Sequence, residues 1–465
     1  MPKSKQNNPV RDVIQVDSEL LDSINFLIQE QRDQGLRNIF ADLHSADIAE
    51  IINHLNVDNA KYSFQLLDTE VGGEVLPELD ENLREKLLKQ IEPEKITEIF
   101  EELEDDDAAD IVNELPEPVA EHVLENIGSE QSEDVKLLMQ YREDTAGGIM
   151  NSDFVFVQDT ATVGDATEEV RKNAEEFEHI YYIYVLTKNE KLVGVVSLKS
   201  LLINASNKPI SEVMEEDLIY VTPEIDQEEV ANIIEKYNLV SIPVVNENKV
   251  MLGRITVDDI VDVIQEEASE DIQKIAGLSE EQEASDTIFR ITRIRLPWLL
   301  LALAMEIIAA VVLSKYEHII TRMVVATFFI PIVMAMGGST GTQAAIVMVR
   351  GLSSGDIWIN ESLKKLSKEF MVAMLNGIAC SLILLLATTL FFSDSQDYSV
   401  YFALVLSVAL LTIIIFATMV GATIPVILKK MGFDPALATG PFVTATNDIL
   451  GLIIYIWFII AFFFS

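Results

Sequence analysis

From Leu296 to the C-terminus the chain carries five apolar runs, about Leu296–Ser314, Met323–Val349, Phe370–Phe392, Val400–Leu428 and Phe442–Phe464. Each is long enough for a helix to cross the roughly 30 Å hydrocarbon layer of a bilayer. Backbone polar groups facing lipid must be satisfied within their own segment, so this region is expected to be an all-α bundle of five transmembrane helices. The basic residues are unevenly placed. Arg290, Arg293, Arg295, Arg350, Lys364, Lys365, Lys368, Lys429 and Lys430 flank one set of span ends, and only Lys315 and Arg322 fall in the opposite loops. The positive-inside rule then predicts a cytoplasmic N-terminus and an outside C-terminus. The first 40 residues have no apolar core of signal-peptide type, which agrees with that orientation.

Charge divides the chain at the same place. From Arg290 onward there are 9 acidic and 11 basic residues, which leaves 66 of the 75 acids and 22 of the 33 bases before it. So negative a region repels nucleic acid and anionic membrane surfaces. Its regularly spaced Ile, Leu, Val and Phe predict a folded region. Two readings of the acidity stay open, a solvated surface and a surface that gathers divalent cations. Cys380, the one cysteine, excludes a disulfide or a Cys-based metal site within the chain.

Residues 1–17 read as a disordered tail and 18–145 as an acidic superhelical domain of short helices. In the latter, "LHSADIAEIINHL", "IEPEKITEIFEEL" and "LEDDDAADIVNEL" repeat one pattern, a polar capping segment followed by apolar residues at helix spacing. Strand-like runs such as "IYYIYVLT" and "KLVGVVSL" then alternate with helical stretches, and a second copy follows with "SIPVV" and "KVMLGRIT" joined through "NENK". The duplicated strand–helix–strand–strand–helix unit, with Gly194 and Gly253 in equivalent positions, resembles an α/β CBS-domain pair, residues 146–207 and 208–257. Residues 258–292 are expected to form a connecting helix, closed by Gly277, and a linker, with the pore domain at 293–465.

Three segments carry chemistry. In "MAMGGSTGTQAA", residues 334–345, Gly337, Gly338 and Gly341 stand beside Ser339, Thr340, Thr342 and Gln343. The glycines are expected to interrupt the helix beside a cavity, and the alternative is a close helix–helix contact. In "GFDPALATGPFVTATNDILGLIIY", Asp448 lies within an apolar span. A carboxylate at the bilayer centre costs about 2.5–3.5 kcal/mol on insertion scales. No span contains a basic partner, so a cation is expected there and protonation is the alternative. Glu306 has the same cost but no glycine or hydroxyl surroundings, and is assigned a structural role. In "TVDDIVDVIQEEASEDIQ", Asp259, Asp262, Glu266 and Glu270 step by three, four and four along one helix face, bordered by Glu267 and Asp271. Like charges at that spacing cost about 0.2–0.5 kcal/mol per pair, a penalty that bound dications would remove. The solvated-face reading also stands.

The order of acidic helical repeats, CBS-like pair, acidic connecting (plug) helix and five spans, with the three segments just quoted, resembles the MgtE family of Mg²⁺ channels from about Leu20 onward. The resemblance implies a homodimer with one pore lined by the second and fifth spans, and Asp448 as the carboxylate that holds hydrated Mg²⁺. It implies regulatory Mg²⁺ at Asp259, Asp262, Glu267, Glu270 and Asp271, with Glu228 and Asp434 as further members and Glu74, Asp106 and Asp110 facing the CBS pair. Ser339 and Thr342 replace the family's usual asparagines, and Asn238 stands where related chains can carry an acid. ATP is a second candidate ligand, because CBS nucleotide sites use a Ser/Thr-x-x-Asp pattern. Thr256 to Asp259 has it, Ser197 to Ser200 lacks the acid, and Tyr182, Thr256 and Asp259 form the candidate site.

The expected function is therefore Mg²⁺ import down its gradient through a channel in a prokaryotic plasma membrane, shut by cytoplasmic Mg²⁺. Alternatives are a channel or carrier for Mn²⁺ or Co²⁺, and a membrane-anchored nucleotide sensor. No P-loop or nucleophile–base motif points to an enzyme.

Overall fold

The computed structural model describes residues 16–174, 180–278, 287–353, 362–392, 399–438 and 440–464; most of the expected tail and the linker 279–286 lie outside them. The chain forms two compact units, 1–264 and 265–465.

The first unit opens with ten short helices, α1 (Ser18–Gln29) to α10 (Ser129–Leu138), among the described residues. The three repeated strings fall on α3 (Ser45–Asn53), α7 (Pro93–Phe100) and α8 (Asp105–Glu114). Polar side chains start several of the helices. Leu20 N–H donates to Asp17 at 2.9 Å and Asn59 N–H donates to Asn56 at 3.0 Å, satisfying donors that a helix start leaves open. Ile48, Ile51, Ile52, Phe64, Ile99 and Phe100 fill the core, which continues without a break into Val230, Ile242, Ile255 and Ile260. The helical array and the second CBS-like copy thus share one core.

In the first copy, β1 (Phe156–Gln158) pairs parallel with β2 (Tyr182–Leu186), which pairs antiparallel with β3 (Leu192–Ser197); α11 (Val163–Lys172) and α12 (Leu198–Ile203) complete it. In the second, α13 (Gln227–Tyr237) precedes the hairpin of β4 (Ser241–Val245) and β5 (Met251–Thr256), and Val221 bridges to Val244 in parallel. The two glycines occupy one register position: Gly194 opposes Val185 and Gly253 opposes Val244. Both are glycine because a neighbour occupies the Cβ position, the Met214 side chain at Gly194 and the Asn151 carbonyl at Gly253.

α14 (Val257–Ala276) begins in the first unit and ends in the second. Gly277, at φ +81°, closes it, with Leu278 N–H donating to the Gln273 carbonyl at 2.9 Å. After it come α15 (Ile288–Ser314), the short α16 (Glu317–Ile320) and α17 (Val324–Thr327), α18 (Ile330–Ser353), α19 (Ser362–Phe391), α20 (Val400–Lys430) and α21 (Gly440–Phe463). Among the described residues, five helices are long and apolar enough to cross a membrane. α20 is the most enclosed, with 56% of its most apolar window buried, and α15 the least, with 6%.

The second span corrects an expectation. Entered through the short α17, its helix passes through Gly337, Gly338 and Gly341 without the interruption expected there. An intact helix keeps its backbone hydrogen bonds internal in lipid. The glycines make room for neighbouring helices instead. A Cβ on Gly421 of α20 would overlap the Gly341 backbone, and a Cβ on Gly341 would overlap the Asn447 side chain of α21.

Candidate functional site

α18 and α21 run antiparallel, and their polar positions meet in register. The Asp448 carboxyl lies against Gly338, where a Cβ would stand 3.3 Å from its Oδ1. One turn on, the Thr342 and Thr444 hydroxyls hydrogen-bond at 3.1 Å. Thr342, which replaces an expected asparagine, thus has a hydroxyl partner on the facing helix. Between these levels Asn447 faces Gly341; it is 1% exposed, and neither its amide nitrogen nor its oxygen finds a hydrogen-bond partner among the described residues. Ser339 lies on the exposed side of α18.

Asp448 also has a partner that the sequence did not suggest. Glu306 of α15 stands close enough to act on its carboxyl. The structural role expected for Glu306, inferred from its plain surroundings, overlooked a register between helices. α15 and α21 are parallel and pack through Ala309 and Leu313 against Leu452 and Ile456, which sets Glu306 beside Asp448 one turn earlier.

In the first unit, the start of α8 and the start of α14 form an acid nest. Asp106 is buried, and its carboxyl is pushed well above the usual value by burial, Asp107, Asp259 and Glu104. Burial, Glu104, Asp259 and Asp110 push Asp107 to about 7, opposed by Arg84. Asp105 reaches about 6 through burial, eased by a Ser152 hydrogen bond. Burial likewise raises Asp259 to about 6, while the Thr256 hydroxyl and N–H donate to it at 2.7 and 3.1 Å. The carboxylate expected to serve a ribose therefore caps α14 here. Asn151 donates to Glu104 at 2.6 Å and Ser152 to Asp105 at 2.5 Å, tying the nest to the start of the CBS-like pair.

Asp106 and Asp259 are thus close to one another, Asp110 acts on Asp107 from the next turn of α8, and Asp105 and Asp107 stand in the same "DDD" run as Asp106. Glu74 is exposed on α5 (Thr69–Val75). Glu78, just beyond it, lies near α14: burial and Asp262 raise it, and His44 opposes. Burial and Asp258 raise Asp262. Glu228 is half-buried in the first turn of α13, and its N–H donates to Asp226 at 3.0 Å. Asn238 caps the other end of α13 at φ +51°, a conformation Asn adopts more readily than most residues, which accounts for its presence. Tyr182 is half-buried on β2, raised by burial and Glu215.

The second unit gathers Glu270, Asp271 and Asp434 around a basic residue. Lys274 Nζ lies 2.7 Å from both Asp434 and Glu270. Burial disfavours its charge, but those two hydrogen bonds outweigh burial and hold it above the usual lysine value. Burial pushes Asp271 up, and Asp434 adds to this while Lys274 opposes it. Glu267 is half-buried on the same helix. The last turn of α14 abuts the first residue of α21, since the Ile275 carbonyl is 2.8 Å from where a Gly440 Cβ would stand. Among the described residues, no three His, Cys, Asp or Glu side chains converge as a preformed cage for a bare ion.

Comparison with known proteins identifies the domains that carry these residues. The family model described as a divalent cation transporter matches residues 330–458, the MgtE intracellular N domain matches 43–144, and CBS domains match 146–206 and 210–266. The chain is 32% identical over 447 residues to the magnesium transporter MgtE of Bacillus subtilis, covering 96% of this chain and 98% of that one. It is 32% identical over 327 residues to that of Thermus thermophilus, covering 70% and 71%. A crystal structure of the cytosolic domain of the Mg²⁺ channel MgtE in complex with ATP superposes with a TM-score of 0.50 at 32% identity, covering 52% of this chain and all of that one. Fold and site define a multi-pass membrane protein with an acidic helical domain, a CBS pair and a five-helix membrane domain. The chain belongs to the MgtE family of divalent cation transporters.

Proposed function

We propose that this protein conducts Mg²⁺ inward across a prokaryotic plasma membrane as a homodimer, N-terminus inside and C-terminus outside, and that cytoplasmic Mg²⁺ shuts it. The observation that carries conduction is the Asp448 carboxyl seated on Gly338, one turn from the Thr342–Thr444 hydroxyl pair. Carboxylate and hydroxyl oxygens suit a hard ion that gives up its waters reluctantly. The magnesium transporters to which the chain is similar support Mg²⁺ as cargo and speak against an enzyme. An inside-negative potential supplies about 2.3 kcal/mol per charge per 100 mV, and a dication gains twice that.

Closure follows from the acid nest. Mg²⁺ bound among Asp106, Asp107, Asp110 and Asp259 relieves their repulsion and favours the packed arrangement. α14 begins in that nest and ends against Asp434 and Gly440 at the start of α21, so its position can be passed to the helix that carries Asp448. Glu228, Asp262, Glu267, Glu270, Asp271 and Asp434 extend the regulatory set. ATP at Tyr182, Thr256 and Asp259 is a further regulatory reading, supported by the ATP complex of the similar cytosolic domain. A membrane-anchored sensor would have no use for intramembrane acids.

Mg²⁺ uptake into vesicles tests the reading. Asp448→Ala should lose flux while still folding and dimerising; wild-type flux in that variant would remove the assignment.

A further inference from the structure

Glu306 lies upstream of the segment that the transporter family model matches, yet its side chain meets the one acid of the fifth span. It is the only charged residue between Leu296 and Ser314, as Asp448 is between Gly440 and Phe463. Placing two acids together in lipid, with no basic side chain in either span, opposes stability unless a cation or a proton joins them. Ala309 and Leu313 of α15 share one apolar cluster with Leu452 and Ile456 of α21, and Glu306 and Asp448 lie about one turn before them on their helices. Glu306 is exposed on the protomer and Asp448 half-buried, so neighbouring protein of this chain does not enclose the pair. Beside them, the buried and unpartnered amide of Asn447 is a second polar group that the described protein atoms leave unsatisfied.

We propose that Glu306 is a second carboxylate of the intramembrane ion site, setting how strongly a divalent cation is held beside Asp448 and how well monovalent cations are excluded. The inference rests on the reading of Asp448 as the carboxylate of the ion path. Two carboxylates per chain with nearby hydroxyls form an all-oxygen site for a hard dication. A single charged group binds a monovalent ion with less disadvantage than two do, so losing one should weaken discrimination as well as affinity.

The test uses the full chain in vesicles, measuring Mg²⁺ uptake against external Mg²⁺ concentration and Na⁺ leak in parallel. Glu306→Gln keeps the shape and removes the charge. It should raise the half-saturating Mg²⁺ concentration roughly tenfold, about 1.4 kcal/mol, and admit Na⁺. Glu306→Ser, a smaller neutral variant, should do the same and decides the question if the glutamine variant does not assemble. Glu306→Asp, which keeps the charge, should recover exclusion of Na⁺. Wild-type half-saturation and Na⁺ exclusion in the neutral variants, with Asp448→Ala inactive, would overturn the role of Glu306 alone. Equal impairment of the neutral and aspartate variants would reduce Glu306 to packing. Wild-type flux in Asp448→Ala would instead sink the ion-path reading, and this inference with it.

Discussion

The acid nest at α8 and the carboxyls of the membrane unit differ in number and in surroundings. The nest packs Glu104, Asp105, Asp106, Asp107 and Asp259 so closely that several are held far from ordinary carboxylate behaviour. In the membrane unit Asp448 lies against Gly338, near the Thr342–Thr444 hydroxyl pair, with Glu306 beside it. Many crowded charges favour a bound dication strongly and change the packing when it leaves, which suits a sensor. Few charges with hydroxyl neighbours hold a hydrated ion weakly enough to release it, which suits a conduit.

Breaking the membrane side of this comparison should give the largest effect. Gly341→Leu drives a side chain into Asn447 and the Ala417 carbonyl. Overpacking of this kind costs about 1–3 kcal/mol or more, and flux or assembly should be lost altogether. A fully active leucine variant would make the α18–α21 contact incidental.

The nest should respond to pH, with an intermediate effect. Its raised carboxyls favour the packed arrangement in their protonated form. That contribution is complete below the ordinary value of 3.8, and is lost as pH rises through about 6 for Asp105 and Asp259 and about 7 for Asp107. In chelator, the protection of α8 against hydrogen exchange, taken relative to the intrinsic base-catalysed rate, should fall between about pH 5 and pH 8, and saturating Mg²⁺ should remove most of that fall. Protection that is flat with pH would mean that the acids are not strained against one another.

Lys274 sharpens the comparison further, because it supplies the second unit's acids with a tethered cation. Lys274→Gln frees Asp434 and Glu270 for Mg²⁺, so inhibition should set in at a few-fold lower Mg²⁺, in keeping with partly exposed ion pairs that contribute about 0–1 kcal/mol. Inhibition shifted to higher Mg²⁺ would show instead that the lysine holds the closed arrangement.

Local patterns were legible in the sequence and relations between helices were not. Apolar length gave the five membrane helices, repeated capping strings gave α3, α7 and α8, and Gly194 and Gly253 marked equivalent hairpin positions. The stripe from Asp259 to Glu270 follows helix periodicity alone, and α14 is a continuous helix. The Asp448–Glu306 contact depends on how α15 rotates against α21, which no spacing within either segment encodes. The bond from Lys274 to Asp434 spans 160 positions. Glycines read as a helix break proved to be a packing surface, because both outcomes use the same residues.

On this reading, the acids that conduct Mg²⁺ and the acids that sense it are separate. Mg²⁺ flux measured side by side in Asp448→Ala and in Asp259→Asn with Asp262→Asn, across a range of Mg²⁺ on the cytoplasmic face, tests it directly. The account predicts no flux in the first at any Mg²⁺ concentration, and in the second a channel that stays open at concentrations that shut the wild type. Loss of conduction in both, or wild-type inhibition in the double variant, would contradict it.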